Sequence, residues 1–126
     1  MSKLVALVAL LAVISAPFAG AHHSYADYER DERYVFSGTL TDVQWGNPHI
    51  LLFISDGART MRVEWITTAG ADRTGVIREQ LAPGSRIRVT GSRHRNHDVA
   101  IMTLVKELEL PAQDWRWAPP STRSGP

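Results

Sequence analysis

The chain has 126 residues, enough for one small domain, with 14 Lys and Arg against 13 Asp and Glu. This near balance argues against a nucleic-acid-binding protein, which normally presents a strongly basic face. Because the chain contains no cysteine, it has neither a disulfide framework nor a thiolate metal site, and an apolar core must stabilise the fold.

The first 21 residues have the three-part layout of a secretory signal peptide. Lys3 is followed by an apolar run over 4–14, and small residues stand at Ala19 and Ala21, the spacing that signal peptidase recognises. The run has 11 residues, whereas a membrane-spanning helix needs about 20, so a retained anchor is the weaker alternative. We expect cleavage after Ala21, export to a bacterial periplasm and no stable membrane anchor in the mature protein.

The mature chain is expected to begin with a polar arm over residues 22–33, ahead of a folded domain over 34–110. The first predicted strand covers 34–45, and the phase of its apolar alternation slips by one residue near Gly38. Such a slip beside a glycine predicts a bulge in a long, curved strand. The strand ends at a turn, because the residue before Pro48 is pushed out of the helical region.

Two further strands and a short helix follow this turn. The apolar run 49–55 predicts a buried strand, and the Asp-Gly pair after it predicts a hairpin into a third strand over 60–66. The two threonines that come next can cap a short helix over 69–73, with Gly75 suited to its C-terminal turn.

The remaining elements are again of β type. Alternation over 86–91 predicts a fourth strand, 92–98 a polar loop, and 99–110 a long final strand that stops at Pro111. Residues 111–126 are rich in proline and small polar residues and predict a flexible C-terminal tail, in which two tryptophans can dock on the barrel.

This order of elements predicts an all-β fold with small α content. A long first strand bent at a glycine, and a short helix between strands three and four, match an OB-like five-stranded barrel. A split β-sandwich is the competing architecture. In the OB-like barrel the binding face lies near the loops after strands one and four.

The five histidines are candidates for a site, and they stand at His22, His23, His49, His94 and His97. In an OB-like barrel, His49 follows the loop after strand one, while His94 and His97 lie in the loop after strand four. The arm has about 12 residues at about 3.3 Å each, so it is long enough to bring the mature terminus to the same face.

Cleavage after Ala21 would make His22 the first residue of the mature chain. Its α-amine, with a pKa of about 7.7–8.0, and its imidazole could then chelate one metal ion at little cost in proton release. A third nitrogen, from His49 first or from His23 next, would complete a T-shaped set of the histidine-brace type. Planar nitrogen ligation favours Cu(II). Cleavage one residue earlier would leave histidine at positions two and three, an end that also chelates Cu(II).

Each candidate also has a purely structural interpretation. Histidines at a mature terminus can be solvated, and His49 can cap a strand or bond a backbone carbonyl. His94 and His97 stand among polar residues, which is typical of a solvated hairpin tip. Three aromatic residues are interpreted as core rather than as a stacking platform: Trp45, Trp65 and Phe53.

Enzymatic chemistry is weakly supported by the sequence. Ser24 has no defined acid partner beside the two histidines, so a nucleophilic triad is not indicated. The carboxylates of the arm are scattered, and the chain has no glycine-rich phosphate loop. We therefore expect a binding protein, and an oxidative copper enzyme that uses the same ligands remains only a third interpretation.

Several motifs resemble those of one family of small exported bacterial proteins, described as a domain of unknown function: His22-His23-Ser24-Tyr25, Phe36-x-Gly38, Gln44-Trp45-Gly46-Asn47-Pro48-His49, and Leu81-x-Pro83-Gly84 leading to Val89-x-Gly91. The resemblance covers nearly the whole mature chain to about residue 110. It implies the fold and the export of the protein, and the family has no established activity to carry over.

The sequence thus predicts a periplasmic OB-like protein that binds a divalent metal, with Cu(II) favoured, through His22 and His49. His23 is the alternate ligand, and Asn47 and Pro48 would fix the approach of His49. The remaining candidates for a ligand-binding face are Trp45, His94 and His97. The alternative is a metal-independent module for a peptide, an envelope partner or a small ligand, with the histidines as a polar rim.

Overall fold

The computed structural model describes residues 25–121. Within them the chain forms a closed five-stranded barrel, a short α-helix and a sixth strand: β1 (Tyr34–Gln44), β2 (Leu51–Ser55), β3 (Thr60–Glu64), α1 (Thr68–Thr74), β4 (Arg86–Arg93), β5 (Ile101–Leu110) and β6 (Trp115–Trp117). Short 3-10 helices cover Tyr25–Asp27, Arg78–Gln80 and Pro111–Gln113. The predicted all-β, OB-like barrel with a helix between β3 and β4 is confirmed.

Closure of the sheet distinguishes this barrel from the split sandwich that was the alternative. β1 pairs antiparallel with β4 along its first half and with β2 along its second half. β2 pairs with β3, and β4 pairs with β5. The ring is completed by a short parallel pairing in which Arg62 and Val63 of β3 lie beside Ile101 and Met102 of β5.

The predicted bulge in the first strand is present, a little further along than the glycine. The register of β1 against β2 shifts between Leu40 and Asp42. A Cβ on Gly38 would lie 2.2 Å from the carbonyl oxygen of Ser55, a distance that no side chain tolerates. Glycine at this position therefore allows β1 to cross closely over β2 as the strand coils.

A second bulge, which the alternation pattern did not reveal, lies between β4 and β5. Thr90 pairs with Glu107 and Ser92 pairs with Thr103, so β5 has extra residues opposite Gly91. One of them, Leu104, has a φ of 50°, a left-handed conformation that is unfavourable for a residue other than glycine.

The core fills the barrel with the inward-facing residues of every strand. The side chains without measurable exposure include Leu40, Leu52, Ile54, Met61, Val63, Val89, Met102 and Leu108. The helix α1 is capped at both ends, as the sequence predicted. Its N-cap is Thr67, whose side chain accepts a hydrogen bond from the Gly70 N–H, and its C-cap is Gly75 with φ 72°.

The segment after Pro111 differs from the flexible tail that its composition suggested. β6 pairs with the end of β5, and Trp117 is 6% exposed, in an edge-to-face contact with Trp65 at 5.2 Å between ring centroids. Burial of the Trp117 indole provides a hydrophobic gain that polar composition does not reveal.

Across residues 25–121, no helix has the length and apolarity needed to span a membrane.

Candidate functional site

A cavity of about 450 Å³ lies beside the start of α1, between the connection from β3, the bulge of β5 and the segment after β6. Its lining is mostly apolar and aromatic, with a few polar side chains. The residues that line it are Tyr25, His49, Trp65, Ile66, Thr67, Gly70, Arg73, Thr74, Thr103, Leu104, Val105, Trp117, Pro119 and Pro120. Its volume is within the range of about 300–1,000 Å³ that is usual for small-molecule sites.

His49 is placed at this cavity by the pairing of its neighbour. The backbone N–H of Ile50 donates to the carbonyl of Ile66 at 2.8 Å, and the Ile50 carbonyl accepts from the N–H of Trp65 at 2.9 Å. The side chain of Ile50 is fully buried in the core. Since successive side chains of an extended segment point to opposite faces, His49 lies outside the core, where it is half-buried on the cavity wall.

The loop before His49 is attached to the start of α1. The side-chain oxygen of Asn47 accepts a hydrogen bond from the Thr68 hydroxyl at 3.0 Å, and the Asn47–Pro48 peptide bond is cis. Trp45 is partly buried and packs against the core. Asn47 thus holds the loop that carries His49, while Trp45, Asn47 and Pro48 are not among the residues that line the cavity.

Tyr25 brings the N-terminal arm to the same cavity as His49. It stands at the start of the first 3-10 helix and lines the cavity wall. His22, His23 and the predicted signal peptide lie outside the described residues. Along the chain, His22 is three residues from Tyr25, a separation that an extended segment spans in about 10 Å at most.

The arm is held by a set of polar contacts with the end of β4 and the loop after it, here called the arm clamp. Glu29 is its centre: its carboxylate accepts from the Arg93 Nε at 2.9 Å and lies 2.8 Å from the His97 Nε2. The Glu29 N–H also donates to the Arg93 carbonyl. Arg95 extends the contact, since its backbone N–H donates to the Asp27 carbonyl and its Nε to that of Ala26.

His94 lies within the arm clamp as well. Its ring makes an edge-to-face contact with Tyr28 at 5.3 Å, and the two residues form an isolated antiparallel bridge. The Asn96 N–H donates to the His94 Nδ1 at 3.0 Å. His94 and His97 therefore fix the arm and do not line the cavity.

Two pKa shifts accompany the arm clamp. Hydrogen bonds from Arg93 and then His97 lower the pKa of Glu29 from 4.5 to about 2, because both stabilise the ionised carboxylate. Burial, followed by the charge of Glu64, raises the pKa of Tyr28. The carboxylate of Glu29 thus remains ionised, and the phenol of Tyr28 neutral, throughout the ordinary pH range.

The three histidines of the described chain are not gathered into one cluster. Among residues 25–121, no group of three or more His, Cys, Asp or Glu side chains is placed to hold a metal ion. A metal site at the cavity would therefore need ligands from the chain before Tyr25, in addition to His49.

Sequence reasoning did not assign three notable contributors to a cavity. Arg73 was interpreted only as part of a helix and Leu104 as part of a regular strand, while Trp117 was expected only to dock on the barrel from the tail. These three residues share only a weak sequence signal, which is a nearby interruption of the secondary-structure pattern. Arg73 stands near a helix end, Leu104 at a bulge and Trp117 near a proline. Only the packing of α1 and β6 on β5 brings them together.

The fold and the site together define an OB-like β-barrel with a mostly apolar cavity beside its helix and an N-terminal arm that reaches that cavity at Tyr25. The chain belongs to a family of unknown function, DUF6152, whose model matches residues 9–102. This match confirms the family resemblance in the sequence. No curated protein matches the chain.

Proposed function

We propose that the protein is an exported periplasmic binding protein that holds one divalent metal ion, with Cu(II) favoured, between its processed N-terminus and His49. The observation that carries the proposal is that Tyr25 and His49 line one cavity. A mature chain that begins at His22 has its first residue within about 10 Å of this point.

The arm clamp supports this arrangement by reducing the freedom of the terminus. Two side-chain contacts to Glu29 and three backbone contacts to residues 26–29 fix the arm just after the proposed site. A ligand on a mobile end loses affinity to the ordering of the chain, and the contacts that fix residues 26–29 lower this cost for the part of the arm next to the proposed site.

All of the proposed ligands of the metal ion are nitrogen donors. The α-amine and imidazole of His22 would chelate the ion, and His49 would supply the third nitrogen, with His23 as the alternate donor. Three nitrogens in a plane match the geometry that Cu(II) prefers, and divalent affinities rise toward copper. Asn47, which holds the loop before His49, acts as the outer partner that orients it. We propose binding rather than catalysis, in keeping with the weak support for enzymatic chemistry in the sequence.

Competition titration of Cu(II) against a chromophoric chelator tests the proposal on a mature chain that begins at His22. His22→Ala and His49→Ala should each weaken binding by about 100-fold or more, about 2.7 kcal/mol. His94→Gln, a histidine of the arm clamp, is the matched control and should change affinity by less than about threefold. Retention of tight copper binding in His22→Ala would overturn the proposal.

Blocking the terminus gives a second test that leaves every side chain intact. Acetylation of the α-amine of a chain that begins at His22 removes this donor but keeps all imidazoles. The electron paramagnetic resonance spectrum of the Cu(II) complex should then show a changed nitrogen coordination. Identical spectra with and without acetylation would show that the terminal amine is not a ligand.

A metal-independent binding module is the second candidate, and a specific observation favours it. The cavity walls are largely apolar and include the indoles of Trp65 and Trp117, a lining that is typical of small-molecule sites. Here the ligand would be a small molecule, a peptide or an envelope partner. Saturable binding that persists in a strong metal chelator would support this candidate.

A further inference from the structure

We propose that the cavity beside His49 is a site for a small carboxylate with an apolar body, and that Arg73 pairs with its carboxylate. This inference rests on the second candidate function, ligand binding in the cavity, and does not require the metal site. It names the chemical class of the ligand from the charge and the walls of the cavity.

The residues that line the cavity carry a positive charge, and no negatively charged residue among them balances it. Arg73 is the one Lys or Arg among the 14 residues that line the cavity, and none of the 14 is Asp or Glu. Within residues 25–121, Arg73 has no ion pair, in contrast to Arg62, Arg93 and Arg116. Arg73 lies in the last turn of α1, where the helix dipole favours a cation. This position still leaves the guanidinium available to pair with an anion.

The Arg73 guanidinium lies beside Gly70 at the cavity wall. The Arg73 Nη2 lies 3.8 Å from the position that a Cβ on Gly70 would occupy, so the side chain extends back along α1. A guanidinium has five N–H donors in a fixed plane that matches the two oxygens of a carboxylate. An amine on a flexible stem would lack this match.

The walls opposite Arg73 indicate an apolar body rather than a bare anion. Trp65 and Trp117 meet at an interplanar angle of 88° and are nearly buried, and their exposed edges join Ile66, Leu104 and Val105 on the lining. Water interacts only weakly with such walls. An apolar group of a ligand is stabilised there, because its burial removes apolar surface from water. Acetate would use only half of the site.

The wall at Leu104 is built at an energetic cost, which supports a functional origin. Leu104 adopts a φ of 50° inside β5, and the bulge directs it to the cavity lining. Bulges commonly redirect a side chain next to a site, and a left-handed residue other than glycine persists only where the surroundings require it.

Hydrogen bonds among the wall residues hold them in place. The Thr74 hydroxyl donates to the Gly70 carbonyl at 2.8 Å and accepts from the Trp117 Nε1 at 3.3 Å. The Trp65 Nε1–H, by contrast, is buried and has no acceptor among the residues that the structure describes.

The test uses three probes on the full mature chain in excess chelator: benzoate, benzamide and acetate. Benzoate has both the anion and the apolar body, benzamide has only the body, and acetate has little more than the anion. Binding is followed by tryptophan fluorescence and by NMR shifts of the indole N–H groups of Trp65 and Trp117. We expect saturable 1:1 binding of benzoate, at least about tenfold tighter than that of benzamide or acetate.

Substitution of the guanidinium provides the decisive comparison. Arg73→Gln should weaken benzoate binding by at least about tenfold while leaving the weaker binding of benzamide unchanged. Arg78→Gln is the matched control, because Arg78 is an exposed arginine of the next short helix and does not line the cavity. Thermal unfolding of both variants establishes that each is folded.

The outcomes separate this inference from the metal proposal. Copper binding without any benzoate binding would overturn the carboxylate site and leave the metal proposal standing. Equal binding of benzoate and benzamide would support a ligand cavity but overturn the assignment to Arg73. An unchanged benzoate affinity in Arg73→Gln would overturn it as well.

Discussion

Two regions of this molecule carry histidines, and they use them differently. The cavity region has His49 on a mostly apolar wall without a carboxylate among its lining residues. The arm clamp has His94 and His97 in direct contact with Tyr28 and Glu29. One region places an imidazole on the wall of a cavity, and the other brings its imidazoles into contact with side chains of the arm.

The difference shows that a histidine's role depends on what packs against it. All three residues lie in loops that flank the barrel, so spacing alone treats them alike. The N-terminal arm separates them, because it pairs with the end of β4 and contacts His94 and His97. The arm also places Tyr25 at the cavity, and Glu29, the centre of the arm clamp, follows four positions later in the chain.

Among the variants that test this comparison, the largest loss of stability is expected at Gly91, whose bulge partner shapes the cavity. A Cβ on Gly91 would lie 2.8 Å from the Thr103 carbonyl oxygen, so Gly91→Ala must displace the backbone of β5. We expect a loss of about 3 kcal/mol in the free energy of unfolding, measured by urea denaturation. Gly46→Ala is the control, since nothing lies within 4 Å of its added Cβ; equal losses in both variants would contradict the account.

A second prediction concerns the strained residue of the cavity wall. In an ordinary strand, glycine is less stable than alanine by about 0.5–1 kcal/mol. At Leu104, with φ 50°, the order should be reversed, and Leu104→Gly should be about 1 kcal/mol more stable than Leu104→Ala. Urea denaturation of the two variants measures this directly. The ordinary order would show that the left-handed conformation carries no strain.

The arm clamp should respond to acid in a defined window. The pKa of Glu29 is lowered from 4.5 to about 2, so its ionised form contributes stability that is complete above about pH 4.5. This contribution decreases as the pH falls through about 2, where the folded-state carboxylate takes up its proton.

NMR titration of the Tyr28 ring and the Glu29 carboxyl from pH 5 to pH 1.5 measures the response of the arm clamp. We expect the Glu29 midpoint near 2 and release of the Tyr28 ring over the same range. In Glu29→Gln the ring signals should not change in this window. A Glu29 midpoint near its ordinary value of 4.5 would mean that the arm is not held as described.

The smallest effect is expected from His97, which is the more exposed of the two side-chain partners of Glu29. Its side chain is 48% exposed, against 30% for Arg93, so solvent screens its contact with the carboxylate. His97→Gln should leave the unfolding free energy within about 0.5 kcal/mol of wild type. A larger loss than that of Arg93→Gln would reverse the ranking of the two contacts.

Much of the barrel could be predicted because its signals are local. Alternating burial marks the strands, the cap at Thr67 and the left-handed Gly75 mark the helix, and the phase slip near Gly38 marks a bulge. The position of His49 beside a buried Ile50 is also a local consequence of strand pleating.

The arm clamp and the cavity could not be predicted, because they depend on long-range packing. Glu29 meets Arg93 and His97 across more than 60 residues of chain, and no pattern within the arm indicates that partner. Leu104 stands in an apolar run that is typical of a regular strand, so its left-handed backbone is visible only in the register of β4 against β5.

Native mass spectrometry of the protein exported with its own leader, after addition of Cu(II), tests the central claim most directly. It reports the first residue of the mature chain and the number of bound ions in one measurement. We predict a chain that begins at His22 and holds one copper ion, and loss of that ion in His49→Ala under the same conditions. A chain that begins elsewhere, or that begins at His22 without copper, would contradict the account.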